Sequence, residues 1–206
     1  MQDDLASRNL GEYLDALGGE QAAPGGGSAA GLVGALSACL AEMLASLTRE
    51  PSDAMLHAKA TLQELRHRAL MCARHDELAY GRYIAALAMP KSTPEEKAAR
   101  KQTLGAAMEE SARVPLALAV VSIEILNAMD IVIQEGNKTV LGDADSAIVL
   151  AKATVEICAI NVRINLDYIK DEVLSEDLRV SIEAAEEMVV HLSQERRRQI
   201  SDRLAA

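Results

Sequence analysis

The stretch Ala23-Pro24-Gly25-Gly26-Gly27-Ser28-Ala29-Ala30-Gly31 places three glycines after a proline and leads straight into small apolar residues. Small residues then recur every four positions, at Gly27, Gly31 and Ala35. This spacing places them on one face of an α-helix, where a neighbouring backbone can approach closely. We therefore expect a helix over about Ser28 to Thr48 at the centre of a helical protein.

The composition favours helices packed through small side chains. Half of the 206 residues are hydrophobic, yet there is no Phe or Trp and there are only four Tyr, so Ala, Leu, Ile, Val and Met must fill the core. Helical periodicity is nearly continuous, with no strand-like alternation of useful length. The length suits a single domain over residues 1–206.

The sequence therefore predicts an all-α bundle of about six helices, several of them long, whose wide apolar faces favour a homodimer. The predicted helices are about Leu5 to Leu17, Ser28 to Thr48, Asp53 to Met89, Pro94 to Gln134, Asp143 to Ile169 and Ser175 to Leu204.

Local signals mark several helix ends. Thr93, Pro94 and Glu96 have the residue types and spacing of a capping box with proline in the first helical position. Pro115 is expected to bend or break the fourth helix. Asp143 is expected to be the N-cap of the fifth helix.

The charge and cysteine pattern argue against several classes of protein. The formal net charge of −10 and a pI near 4.9 disfavour nucleic acid as a partner. The three cysteines lack metal-ligand or disulfide spacing, which predicts no metal site and a reducing, cytoplasmic environment. The acidic N-terminus resembles neither a secretory nor a lipidation signal. Glu42, Pro115 and Glu124 interrupt the most apolar stretches, so no membrane span is expected.

The glycine run has two interpretations. It ends at a predicted helix N-terminus, where unpaired N–H groups can hold an anion or a polarised oxygen, and glycines let a ligand reach the backbone. The alternative is a plain tight turn that permits close helix packing.

Three further groups could carry chemistry. Asp76 lies among apolar neighbours at helical spacing, which suits a raised pKa and proton transfer, unless it is simply solvated. Asn161 and Asn165 share a face of an apolar helix and need partners, either another helix or a ligand. Lys91 and Arg100, with Lys97 and Lys101 nearby, could bind a carboxylate or form a solvated charged surface.

Taken together, these segments resemble the formimidoyltetrahydrofolate cyclodeaminase and methenyltetrahydrofolate cyclohydrolase family from about Leu10 to Asp171. The resemblance is carried, in order, by PGGGSAAGLVGAL from Pro24, an aspartate four residues before Tyr80, PKSTPEEKAARK from Pro90, VPL from Val114, GN at Gly136, GDADSA from Gly142 and NVRINL from Asn161.

The resemblance implies an all-helical, homodimeric enzyme that binds a one-carbon derivative of tetrahydrofolate in a cleft between helices, with no metal or other cofactor. It implies that Asp76 is the catalytic residue. It assigns the wall of the site and the neighbours of the folate to Gly25, Gly26, Gly27, Ser28, Lys91, Arg100, Asp143, Asn161 and Asn165.

Two reactions fit this family. The cyclodeaminase closes 5-formimidoyltetrahydrofolate to 5,10-methenyltetrahydrofolate and releases ammonia, and the cyclohydrolase opens the methenyl ring to 10-formyltetrahydrofolate. This chain has Arg74, Gly142 and Ala22 where members of the family often have an acidic residue, a serine and a proline. A non-catalytic folate-binding or structural dimer, or a helical assembly protein without a ligand, are the alternatives.

Overall fold

Residues 8–206, the part of the chain that this computed structural model describes, form six α-helices and contain no strand. The helices are α1 (Leu10–Leu17), α2 (Gly26–Ser46), α3 (Asp53–Leu87), α4 (Pro94–Glu135), α5 (Leu141–Leu166) and α6 (Glu172–Ala205), with a 3-10 turn over Lys138–Val140. The all-α prediction is confirmed for these residues. The expected start of the first helix at Leu5 and the acidic N-terminus lie outside them.

Side-chain caps set several helix starts. The Thr93 hydroxyl accepts the N–H of Glu96 at 3.1 Å, and the Glu96 carboxylate accepts the N–H of Thr93 at 3.1 Å, so the capping box is confirmed. The Ser52 hydroxyl accepts the N–H of Met55 at 3.1 Å at the start of α3. Asn9 caps α1 in the same way, which fixes the first helical residue at Leu10.

Helix α2 lies at the centre of the bundle, packed against α3, α4 and α5. Its small-residue face permits the close approach that the sequence predicts. A Cβ atom on Gly31 would lie 2.6 Å from the Ala73 Cβ and 2.8 Å from the Ala69 carbonyl oxygen, so only glycine fits there. On another face of α2, the Ser37 hydroxyl donates to the Ala147 carbonyl at 2.7 Å and ties α2 to α5.

The core is built largely from alanine and aliphatic side chains, which lets the helices pack closely. Helices α2 and α4 are each long and apolar enough to cross a membrane by length and composition alone. The most apolar stretches of these helices are 56% and 50% buried against the rest of the protein, as in the central helices of a bundle.

One local expectation was wrong, and another was wrong in part. Of the two effects expected of Pro115, a bend or a break, the break is absent, because helix α4 is continuous through Pro115. Proline lacks the N–H that would bond to the Ser111 carbonyl, but the side-chain amide of Asn165 on α5 donates to that carbonyl at 2.7 Å. Asp143 is not an N-cap, because the 3-10 turn leads directly into α5 and places Asp143 within its first turn.

The antiparallel pair α3 and α4 extends beyond the start of α2. Helix α3 continues for eleven residues after Asp76, which is a length of about 16 Å at 1.5 Å per residue. Arg100 on α4 fixes the far end of the pair by donating through Nε and Nη2 to the Leu87 carbonyl, at 3.4 and 3.3 Å. The extension therefore forms a wall that leads away from the start of α2.

Candidate active site

The first turn of α2 meets the middle of α3 at Asp76. Gly25 occupies the N-cap position and has no side chain to cap the helix. The backbone N–H of Ser28, one of the donors that a helix start leaves unpaired, bonds instead to the Asp76 carboxylate. A carboxylate near the positive end of a helix is also electrostatically favoured there. Asp76 thus caps α2 from a neighbouring helix.

Gly27 makes this contact possible. A Cβ atom built on Gly27 would lie 2.1 Å from Oδ1 and 2.4 Å from Cγ of Asp76, so the carboxyl group occupies the volume of the missing side chain. Gly27 is buried, whereas its neighbour Gly26 is exposed. The N–H of Gly26 lies in the first turn, where it has no partner within the helix and can meet a ligand.

A chain of hydrogen bonds connects α1 to this turn. The Ser28 hydroxyl donates to Oε1 of Glu77 at 2.8 Å, and it lies 3.1 Å from the hydroxyl of Tyr13. Because the Ser28 proton is used toward Glu77, Tyr13 is the donor to Ser28. Arg8 completes the chain through an ion pair of 3.4 Å with Glu77. Ser28 is fully buried, and its hydroxyl is therefore committed to protein partners.

The pKa of Asp76 is raised above the usual value for an aspartate, chiefly because burial disfavours the charged form. The hydrogen bond from the Ser28 N–H lowers this pKa, and the negative charge of Glu77 raises it. A half-buried carboxyl group with a raised pKa holds a proton more readily than a solvated one, and can accept a proton from a substrate and return it.

The two asparagines have different partners. The side-chain amide of Asn161 donates to the Ile157 carbonyl one turn earlier, at 2.8 Å, and its nitrogen would lie 3.8 Å from a Cβ atom on Gly26. Asn161 therefore flanks the glycine turn beside Asp76. Asn165 lies one turn further along α5 and donates to the Ser111 carbonyl, which is a bond between helices.

The remaining predicted residues lie further from Asp76. Lys91 is exposed in the turn between α3 and α4, and Arg100 binds the Leu87 carbonyl at the same end. Asp143 lies eighteen residues before Asn161 on α5, a separation of about 27 Å along the helix. The structure thus brings together Gly26, Gly27, Ser28, Asp76 and Asn161, with Asn165 adjacent, and leaves Asp143 apart from them within one chain.

An apolar groove of about 530 Å³ begins beyond Asn165 and runs between the ends of α3 and α5 and the first third of α4. Two of the four tyrosines, Tyr83 and Tyr168, line it. Within residues 8–206 no three His, Cys, Asp or Glu side chains form a group that could hold a metal ion, and the absence of a metal or other cofactor stays a prediction.

Sequence reasoning missed the supporting residues Arg8, Tyr13 and Glu77. One available signal was Tyr13 itself, because a large aromatic residue in a chain so poor in aromatics tends to be buried and its hydroxyl then needs a partner. Its link to Ser28 and Glu77 spans separations of 15 and 49 residues, which no local pattern reveals.

Comparison with known proteins places this arrangement in a family. Residues 9–184 match the family model described as formiminotransferase-cyclodeaminase. A methenyltetrahydrofolate cyclohydrolase of Methylorubrum extorquens is 32% identical over 171 residues, which cover 80% of this chain and 82% of that protein.

Formimidoyltransferase-cyclodeaminases of Gallus gallus and Rattus norvegicus are 29% and 32% identical over 82% and 86% of this chain. The chain spans only 32% and 34% of the length of these two relatives. A crystal structure of formiminotetrahydrofolate cyclodeaminase from Thermotoga maritima has the same fold, with a TM-score of 0.84 at 25% identity, over 97% of this chain and 98% of that one. Because the family model covers most of the sequence, the chain belongs to the formiminotransferase-cyclodeaminase family.

Proposed function

We propose that this protein closes 5-formimidoyltetrahydrofolate to 5,10-methenyltetrahydrofolate with release of ammonia, and that Asp76 moves the proton. The observation that carries the proposal is the environment of the Asp76 carboxyl group. It is half-buried against Gly27 and accepts the Ser28 N–H, and its pKa is raised by burial. The solved relative described above, with a TM-score of 0.84, is named as a cyclodeaminase.

The chemistry needs one carboxylate. Attack of N10 on the carbon of the formimidoyl group, which is protonated on its terminal nitrogen, forms the N10–C bond and leaves a proton on N10. The Asp76 carboxylate accepts that proton and returns it to the nitrogen that departs as ammonia, when the C–N bond breaks. The backbone N–H of the exposed residue Gly26 and the Asn161 side chain flank the carboxylate and would orient polar atoms of the substrate.

A second reaction is the hydrolysis of 5,10-methenyltetrahydrofolate to 10-formyltetrahydrofolate. The Methylorubrum extorquens relative, which is named as a methenyltetrahydrofolate cyclohydrolase, favours this reaction, because the match covers 82% of that protein's length. Here Asp76 would take one proton from the attacking water and give it to N5 as the C–N5 bond breaks, and the second proton of the water would leave to solvent as the formyl C=O forms. Both reactions pass through a carbon joined to N5 and N10, so one site could serve either.

The test supplies each folate separately and follows the near-ultraviolet absorbance of the methenyl form. Its appearance from the formimidoyl substrate supports the cyclodeaminase, and its accelerated loss supports the cyclohydrolase. Asp76→Asn should abolish the reaction, while Asp177→Asn, an exposed control on α6, should not change it. If Asp76→Asn turned over both folates normally, Asp76 would not be the proton carrier; if the wild type turned over neither, the protein would not be this enzyme.

We also propose that the protein is a homodimer that pairs through the outer face of α2. Glu42 is the single charged residue of this helix and is bonded to Arg66 and Gln63 of α3. The outer face is thus apolar, and Leu36 on it is 48% exposed. Light scattering should give twice the 22.0 kDa subunit mass, and Leu36→Glu should give the monomer mass, unlike the control Val190→Glu on α6. A wild-type monomer would contradict this proposal.

A further inference from the structure

The apolar groove beyond Asn165 lies next to the site and is not used by the proton transfer. We propose that it holds the aminobenzoyl-glutamate end of the folate, with Lys101 and Lys170 receiving the glutamate carboxylates. This inference builds on the proposed function, because it assigns the other end of the same substrate. It depends on three properties of the groove: its direction from Asp76, the character of its walls and the position of its cations.

The groove continues from Asp76 along one face of α3. Tyr83 and Leu87 line it and follow Asp76 by seven and eleven residues, which are about two and three helical turns. Residues at these spacings lie on the same face of a helix. On the opposite wall, Tyr168 follows Asn161 by seven residues, just past the end of α5. A ligand that contacts Asp76 and Asn161 can therefore extend directly into the groove.

The walls of the groove suit a planar aromatic ring. Tyr83 and Tyr168 belong to opposite walls, and Leu87 and Met108 add apolar surface between them. Tyrosine rings pair favourably with another ring, and pockets for small molecules are mostly apolar with a few polar groups. The groove starts about 10 Å along α3 from Asp76, so a group here lies beyond the reacting atoms.

The cations lie in the right order for the glutamate. The hydrogen bond between Asn165 and the Ser111 carbonyl places Ser111 at the level of Asn165. Lys101 precedes Ser111 by ten residues on α4, which is about 15 Å. Because α4 runs antiparallel to α3, Lys101 lies on the side of Ser111 that points away from Asp76. Lys170 follows Tyr168 on the other wall. Neither lysine has a hydrogen bond or ion pair with any residue in 8–206, so both are available to a carboxylate. In a protein with a net charge of −10, such a local pair of cations is needed to hold an anionic tail.

Two acidic residues also line the groove. The Asp171 side chain caps α6 by accepting the N–H of Leu174 at 3.1 Å, which directs its charge to the start of that helix. Glu109 lies eight residues from Lys101, about 12 Å closer to the Asp76 end, and so does not face the proposed carboxylate position. Arg100, the neighbour of Lys101, is held by the Leu87 carbonyl instead.

The test compares substrates with and without glutamate. We expect Lys101→Ala and Lys170→Ala each to raise KM about fivefold for the glutamate-bearing folate with kcat unchanged, as for a partly solvated ion pair. The pteroate analogue of the same substrate, in which the glutamate is absent and the rest of the molecule is unchanged, should have the same KM in both variants and in the wild type. Lys97→Ala, one turn from Lys101 and outside the groove, is the matched control.

Gly105→Leu provides a second variant. A Cβ atom on Gly105 meets nothing within 4 Å, and Gly105 lines the groove, so leucine should fill the groove without disturbing the helix. It should raise KM for both substrates, because the ring position is blocked. The lysine double variant combines Lys101→Ala and Lys170→Ala. If folate is still turned over and KM is unchanged in both the double variant and Gly105→Leu, the inference is wrong.

Binding of free p-aminobenzoylglutamate, measured by calorimetry, tests the groove independently of turnover. Binding to the wild type that is lost in the lysine double variant supports the groove even if no folate is converted. Absence of binding at millimolar ligand, or equal binding to the double variant, would overturn it. Failure of turnover alone would overturn only the proposed reaction.

Discussion

The Asp76 carboxyl group occupies the space that a side chain on Gly27 would need, with Oδ1 2.1 Å from the position of the missing Cβ. The third glycine of the run is therefore required by a side chain from another helix. In the same turn, the Ser28 N–H bonds to that carboxylate. The glycine run thus combines close packing and the placement of the proposed catalytic group, which the sequence presented as alternatives.

Gly27→Ala should displace the Asp76 carboxyl group and remove most of the activity. The added methyl group overlaps the carboxyl carbon, so Asp76 must rotate away from the Ser28 N–H. We expect kcat to fall about a hundredfold, as for other small misplacements of a reacting group, and stability to fall by about 1–3 kcal/mol.

Gly81→Ala on α3 is the matched control for this change, because a Cβ atom at Gly81 contacts nothing within 4 Å. Alanine there should leave kcat unchanged and stabilise the helix by up to about 1 kcal/mol. Steady-state kinetics and thermal unfolding measure both variants. Equal activity of Gly27→Ala and the wild type would show that the position of Asp76 does not matter for turnover.

The free energy of unfolding of Asp76→Asn, relative to that of the wild type, should increase as the pH rises. The pKa of Asp76 is higher in the folded protein than in the unfolded chain, so the folded state binds more protons between these two values. The free energy of unfolding of the wild type therefore falls as the pH rises through that interval, and this contribution is absent from the asparagine variant. The loss of activity would then accompany a gain in stability, a common trade-off at functional sites.

The measurement is denaturant unfolding of both proteins at several pH values, from below the usual aspartate pKa to pH 8. The difference in unfolding free energy should grow with pH and then level off above the raised pKa of Asp76. A difference independent of pH would mean that Asp76 has the same pKa in the folded and unfolded chains.

Glu77→Gln should shift the acidic limb of the pH–rate profile to lower pH. The negative charge of Glu77 raises the pKa of Asp76, and glutamine removes this charge while still accepting the Ser28 hydroxyl. If Asp76 must be ionised to accept a proton, kcat/KM should then reach its plateau at a lower pH. Glu187→Gln, an exposed change on α6, should leave the profile unchanged. An unshifted limb in Glu77→Gln would assign that limb to another group.

The sequence predicted features that depend on neighbouring residues. The capping box at Thr93 and the small-residue face of α2 follow from spacings of three and four residues, and both are present. The predicted start of α5 at Asp143 was wrong because the Asn137 side chain organises a 3-10 turn that continues into the helix. A local propensity cannot distinguish an N-cap from a residue inside the first turn when two helical segments adjoin.

Features that depend on long-range contacts were not predictable. Arg196 is one of three consecutive arginines, yet it is 5% exposed and donates to the Leu126 carbonyl at 2.9 Å and to Asp130 at 2.7 Å. Arg197, the next residue, donates instead to Asp145 on α5 at 2.6 Å, because successive residues of a helix lie on different faces. In the same way, the sequence favours Arg100 over Lys101 as a partner for a carboxylate, whereas the Arg100 guanidinium donates to the Leu87 carbonyl.

The bond between Asn165 and the Ser111 carbonyl explains how α4 continues through a proline. Ser111 precedes Pro115 by four residues, so its carbonyl is the acceptor that the proline ring deprives of a donor. The Asn165 amide supplies that donor from α5 at 2.7 Å. One hydrogen bond therefore satisfies an unpaired group of α4 and joins two helices next to the proposed site.

Asn165→Ala should consequently destabilise the protein by about 1–3 kcal/mol in the wild type but by less in a Pro115→Ala background. Alanine at position 115 restores the backbone N–H, so the Ser111 carbonyl no longer depends on Asn165. The four proteins form a double-mutant cycle measured by denaturant unfolding, and the coupling should exceed about 0.5 kcal/mol. Pro115→Ala with Asn161→Ala is the matched comparison, because the Asn161 amide bonds to Ile157 in its own helix and should not couple. Additive effects of Asn165→Ala and Pro115→Ala would mean that the two residues do not share the Ser111 carbonyl.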